Sequence, residues 1–138
     1  MSKQDEIRKV IDRVGETFSK LDFDGWIDCF HSPHTVITAD SILSPTDHEE
    51  SKRVLQPMFD NMKKRNFKCT ILETCNIRLL SDTTAIVSTV WSRMDVDDNL
   101  MEKLGATYLL LLTQGDWKIA VVTGHDADVI VVSSTEQK

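Results

Sequence analysis

Residues 104–119 read Leu104-Gly105-Ala106-Thr107-Tyr108-Leu109-Leu110-Leu111-Leu112-Thr113-Gln114-Gly115-Asp116-Trp117-Lys118-Ile119, and this stretch decides the fold. A β-forming run over 104–113 meets Gln114-Gly115-Asp116 and returns over 117–123. That is the pattern of a tight hairpin, with Gly115-Asp116 as its two-residue turn and glycine where positive φ is needed. Leucine fills both faces at 109–112, whereas a sheet covered only by its own helices would alternate throughout. Something therefore covers the second face as well.

Working backwards, 84–94 predicts another long strand, separated from the hairpin by the turn Asp97-Asp98-Asn99. Before the turn Ser81-Asp82, the period is two. Phe67, Cys69, Ile71, Cys75, Ile77 and Leu79 face one way, with Lys68, Thr70, Thr74, Asn76 and Arg78 on the other and Glu73 as an exception on the apolar face. Upstream the period lengthens. Ile7, Val10, Ile11, Val14, Phe18 and Leu21 form one helical stripe, opened by Ser2 and Asp5 as a capping box. Asp24 is placed to cap a second helix carrying Trp26, Ile27 and Phe30, with Pro33 as its stop. Residues 35–39 predict a short strand leading to a loop at Ser44-Pro45. Thr46 and Glu49 then announce a third helix with Val54, Leu55, Met58, Phe59 and Met62 on one stripe. Pro57 inside that stripe predicts a kink or a restart. The order gives an α+β fold in one domain over 1–138, with three N-terminal helices packed on a curved, mostly antiparallel sheet.

Composition narrows the partners. Sixteen basic against twenty-two acidic residues leave a net charge of -6, and the largest basic cluster is Lys63-Lys64-Arg65. No nucleic acid is expected, because neutralising phosphates takes a dense positive face. No membrane is expected either, since the longest apolar runs, 108–112 and 129–132, fall far short of the roughly 20 residues of a spanning helix. A polar start without a signal-like stretch and an odd count of three cysteines predict a cytoplasmic protein with reduced thiols. Nothing in the chain calls for a cofactor or a metal. His31 and His34 lie three apart, but Pro33 breaks the helix that would align them, and a solvated helix end is the expected setting.

Three local patterns carry a family resemblance. They are Asp24-Gly25-Trp26-Ile27-Asp28-Cys29-Phe30, then Ala85-Ile86-Val87, and finally Gly105-Ala106-Thr107-Tyr108 followed by Gly115-Asp116-Trp117-Lys118-Ile119 and His125. In order and spacing the chain resembles the nuclear transport factor 2-like superfamily, in its SnoaL-like and domain-of-unknown-function branches, up to about His125. The resemblance implies a cone-shaped fold around an apolar pocket and a homodimer formed through the sheet. The leucine run independently offers an apolar outer surface. The tail over 129–132 either adds to that surface or pairs with a sheet edge as a last strand.

The expected ligand is a small apolar molecule. Inward positions are predicted at Ala85, Val87, Thr89, Trp91 and Arg93, at Tyr108 and Leu110, and at Trp117, Ile119 and Val121. A one-residue slip would exchange every one of them. Trp26, Trp91, Tyr108, Trp117 and Asp40 are the candidate ligand-binding residues, with plain core packing as the alternative for the tryptophans.

Arg93, Asp95, His125 and Asp126 are the candidate catalytic residues. An inward Arg93 needs a carboxylate, and Asp95, Asp126, Asp40 and Glu73 are the partners considered. Arg93 and Asp95 with a further acid resemble the Asp-Arg-Asp set of limonene epoxide hydrolases, although the surroundings of Asp126 do not match that family. A solvated pair at a strand end is the alternative. Ketosteroid isomerases need a helical tyrosine, and this chain has Phe18 at the comparable helical position. His125 with Asp126 or Asp40 is a possible acid-base pair, with an edge histidine of no role beside it. Cys29, Cys69 and Cys75 read as small buried hydrophobes. The functions that remain open are a binding protein, a small hydrolase or isomerase, and a dimeric interaction module.

Overall fold

The computed structural model describes residues 2–133, so Met1 and 134–138 of the predicted domain lie outside the described residues. Helix α1 (Lys3–Ser19) opens with the expected capping box: the Ser2 hydroxyl accepts from Asp5 N, and the Asp5 carboxylate accepts from Ser2 N. It buries Ile7, Ile11, Val14 and Phe18. The chain then turns at Leu21, in the left-handed region at φ 53°. This makes Asp22, not Asp24, the cap of α2 (Phe23–Ile27), accepting from Gly25 N.

Pro33 is not the stop of α2. The helix has already ended when β1 (Phe30–Ile37) begins, and the strand runs through Pro33. The proline is tolerated because the ladder to the neighbouring strand is interrupted between Phe30 and Thr35, where no backbone donor is required. A short β2 (Ile42–Leu43) pairs with the end of β1. Helix α3 (His48–Lys64) is capped by Asp47, one residue later than expected, and Glu50 rather than Glu49 accepts from Thr46 N. It continues as one helix across Pro57, which sits on its exposed side. Of the two outcomes expected at Pro57, a kink or a restart, the restart does not occur.

Strands β3 (Phe67–Leu79), β4 (Thr84–Asp95), β5 (Leu100–Thr113) and β6 (Asp116–His125) complete a sheet of order β2-β1-β6-β5-β4-β3. Every neighbour is antiparallel except β1 with β6. Together with the helices this forms the α+β cone. The core joins the apolar faces of the helices to the inner face of the sheet, with Phe59 packed edge-on against Phe18, Phe23 and Trp26 at 5.0 to 5.3 Å between ring centroids.

Register corrects two expectations about which side chains point inward. In β3, the partner of Trp91 is Leu72 and the partner of Val90 is Thr74, so Glu73 is an extra residue in a bulge; a second irregularity lies between Phe67 and Cys69. Thr70 and Leu72 therefore face inward between the two, while Cys69 and Ile71 turn to the outer face. In β6, Leu109 pairs with Val121 but Leu110 with Ile119, so Val122 replaces Val121 on the inner face. The other inward predictions on β4 and β5 agree with the burial. The hairpin turn is Gln114-Gly115, both at positive φ, because Thr113 pairs with Asp116.

The tail is not a strand at the sheet edge. It lies across the outer face, where Val131 N donates to the Ser88 hydroxyl and the Asn76 amide donates to the Val132 carbonyl, and Val132 is buried. Among the described residues, no helix is long and apolar enough to cross a membrane.

Candidate functional site

Between the helices and the inner face of the sheet lies a cavity of about 170 Å³. Helix α1 gives it Val14, Gly15 and Phe18, α2 gives Trp26, and β1 gives Phe30, Val36 and Ile37. The sheet supplies the opposite wall through Thr70, Trp91, Arg93, Ala106 and Tyr108, with Val122 and Gly124 from β6. One glycine has a steric purpose here. A Cβ on Gly15 would stand 2.7 Å from the Trp91 ring, so the bare backbone lets α1 settle onto the indole. Gly124 is the opposite case, since a Cβ there meets nothing within 4 Å.

The polar groups of the wall are few. Tyr108 is fully buried, and burial pushes its phenol above the ordinary value, against the opposing pull of the Trp91 and Thr89 side chains. It is a neutral hydroxyl at physiological pH. The Trp91 Nε1–H is buried and meets no acceptor in hydrogen-bonding geometry. Arg93 lies with its guanidinium 5.0 Å from the centroid of the Phe18 ring and donates from Nη1 to Glu102 Oε2 at 2.6 Å. Arg65 Nη2 donates to the other oxygen of Glu102 at 2.9 Å. Burial alone would raise the Glu102 carboxyl, but the hydrogen bond from Arg65 and the two guanidinium charges outweigh it and hold it below the usual value.

The candidate residues divide sharply by position. Trp26, Trp91, Tyr108 and Arg93 share the cavity wall. Trp117 is buried elsewhere, beside a surface groove with Lys9 and Val10, and its Nε1–H also has no partner. Asp40 is exposed in the loop between β1 and β2, where its backbone N–H donates to the Thr38 hydroxyl.

Asp95 is not the partner of Arg93. It organises the β4–β5 turn by accepting from Asp97 N and Asn99 N, both at 2.9 Å. Asp126, Asp40 and Glu73 are not its partners either, and Glu73 accepts instead from the Ser92 hydroxyl on the outer face. His125 stands on the outer face as well, opposite Gly105, with Nε2 2.7 Å from the Thr107 hydroxyl and Nδ1 2.9 Å from the Asp126 carbonyl. The Asp126 side chain is exposed and touches no part of the cavity. The four candidate catalytic residues thus occupy three separate places.

Glu102 is absent from the sequence-predicted set because the pattern places the start of β5 at Leu104. The observed strand starts at Leu100 and sets Glu102 directly opposite Arg93. The only sequence signal is the inward arginine itself, which demands a carboxylate. His34 also departs from expectation. It is buried on β1 with its ring against Phe30, not at a solvated helix end. His31 is half-buried, with Nδ1 2.9 Å from the Pro33 carbonyl. Among the described residues no group of three metal-ligating side chains converges. The three cysteines are free thiols, and burial pushes Cys29 and Cys75 up to about 11.

Solved structures with this architecture are numerous. An NTF2-like protein with a cystatin-like fold from Novosphingobium aromaticivorans superposes with a TM-score of 0.75 at 10% identity, covering 98% of this chain and 88% of that one. Aln2 from a Streptomyces species gives 0.74 at 12% identity over 93% and 94% of the two chains. A protein of unknown function with a cystatin-like fold from Nostoc punctiforme gives 0.73 at 15% identity over 91% and 92%. At such identities the similarity establishes the fold alone. No curated protein matches the chain significantly. Residues 5–127 match the family described as NTF2-like protein (DUF6841), in agreement with the cone and its strand order, and the chain belongs to that family.

Proposed function

We propose that this chain is a cytoplasmic binding protein for a small, mainly apolar molecule held in the cavity between α1 and the inner face of β4 and β5. The observation that carries this reading is the cavity itself: about 170 Å³, walled by aromatic and aliphatic groups, with a buried Trp91 donor that makes no well-aligned hydrogen bond although its side chain pulls on the Tyr108 phenol. Apolar cavities of roughly 150 Å³ take up benzene-sized guests. A buried N–H held out of good hydrogen-bond geometry gains from an aligned acceptor, which an oxygen on a guest would supply. Three free thiols, an odd number without a pairing, fit a reducing compartment. Because Arg93, Asp95, His125 and Asp126 do not converge, the reading includes no reaction.

Gly124→Leu tests it. The added side chain enters open space at the cavity wall, so the fold should keep its melting temperature while toluene binding, followed by amide shifts in NMR spectra, weakens at least tenfold. Toluene binding of equal strength in the two proteins would overturn the reading.

A second copy meeting the outer face of the sheet is the partner in assembly. Ile71 and Leu109 stay exposed on that face, and so do Ile130 and Val131 of the tail.

A further inference from the structure

We infer that the ligand is a small apolar monocarboxylate, its carboxylate on the Arg93 guanidinium and its hydrocarbon body against Trp26, Trp91 and Tyr108. This rests on the reading of the cavity as a ligand site and names the chemical class of its occupant. Among the described residues, Arg93 is the only charged one in the cavity wall, on a chain of net charge -6. No carboxylate among them lines the cavity. An acidic protein that keeps one cation in its apolar interior has placed it against the overall charge.

That cation is also incompletely neutralised. Arg65 and Arg93 share the single carboxylate of Glu102, one on each oxygen, so the three side chains sum to one positive charge. Arg93 is the inner member, its side chain 17% exposed against 39% for Arg65. Among the described residues its hydrogen bond to Glu102 uses Nη1, and a guanidinium has further donors arranged in a planar fork that suits a carboxylate. Thr70, opposite Arg93 on β3, adds a hydroxyl to the same wall.

Trp91 adds a second donor to the same wall. It lies two residues before Arg93 on the same face of β4, is 6% exposed, and holds an Nε1–H whose interaction with the Tyr108 side chain falls short of hydrogen-bond geometry. A guest oxygen would give that donor a well-aligned partner within the same cavity. The balance of one charge favours a monoanion, and the volume favours a body the size of a benzene ring.

Calorimetric titration of the full chain at low salt and neutral pH decides the matter, with benzoate and cyclohexanecarboxylate compared against benzyl alcohol and cyclohexylmethanol. The carboxylates should bind at least tenfold more tightly than the alcohols. Arg93→Met should abolish that preference. Because this variant can lose stability, Arg65→Gln provides a second route: with Arg65 gone, Glu102 neutralises Arg93 fully, and the preference for carboxylates should fall several-fold. Equal affinities for acids and alcohols in the unmodified protein would overturn the monocarboxylate while leaving the cavity reading intact. If neither class binds and toluene does not bind, the cavity reading fails with it. A preference unchanged in Arg65→Gln would overturn the charge argument.

Discussion

His34 packs its ring 4.9 Å from that of Phe30, shares Nδ1 with the His31 carbonyl at 3.0 Å, and leaves Nε2 buried without a partner. The carbonyl can only accept, so Nδ1 carries the proton of the neutral ring. Burial, with a smaller contribution from the charge of His31, lowers its pKa below the ordinary 6.5 despite the opposing hydrogen bond. The unfolded chain therefore takes up a proton at higher pH than the folded one, and stability falls as pH drops from about 6.5 towards the lowered folded value. His34→Phe keeps the ring and removes the titration. Its urea midpoint should decline less than that of the unmodified protein between pH 7.5 and 5.5, with Asp28 and Glu102, both held low, titrating alike in the two. Parallel declines would show that the acid sensitivity has another source. Nothing in the sequence distinguished this histidine from a surface one, since its burial follows from a strand running through Pro33, and a proline is ordinarily read as a break.

Helix α3 carries its own test. Pro57 removes one backbone hydrogen bond from the middle of a 17-residue helix, yet the stripe Leu55, Phe59 and Met62 buries on one side of it. Tertiary packing outweighs a penalty of about 3 kcal/mol. Pro57→Ala should therefore stabilise the fold, by about 2 kcal/mol after allowing for the extra freedom of the unfolded chain. Equilibrium unfolding in urea would measure it, and a loss of stability would mean that the proline fits the helix better than an alanine does. Elements of this kind were legible because a stripe of apolar residues survives a shifted cap or one imperfect turn. Strand faces were less so. Each bulge inverts the alternation beyond it, and the only trace of the one in β3 was Glu73, an acid out of phase with its neighbours. The bulge in β6 left no trace, because Ile119, Ala120, Val121 and Val122 are all compatible with burial. For the same reason Arg93, Trp91 and Tyr108 could be placed on the cavity wall from sequence, whereas Thr70 and Val122 could not.

At the scale of the molecule, the question is what covers the outer face of the sheet. The leucine run of β5 divides between the faces: Leu110 is buried against the helices, while Leu109 points outward and remains 40% exposed. The tail answers only part of the demand. It anchors over β3 and β4 through Asn76 and Ser88 and buries Val132, but leaves Val129, Ile130 and Val131 facing solvent. A second copy docking on the sheet would meet these residues as well as the strands, so the tail would belong to the interface instead of obstructing it. Replacing both Leu109 and Ile130 by glutamate tests this arrangement. Because both side chains are exposed, each change should alter the stability of the single chain by no more than about 0.5 kcal/mol. Across a symmetric interface, however, each carboxylate would be desolvated without a partner, at several kcal/mol per charge. Sedimentation at micromolar concentration should show a dimer for the unmodified protein and a monomer for the double variant, with similar urea midpoints measured at concentrations where both are monomeric. An unmodified chain that sediments as a monomer would leave the outer face to the tail alone and remove the second copy from the assembly.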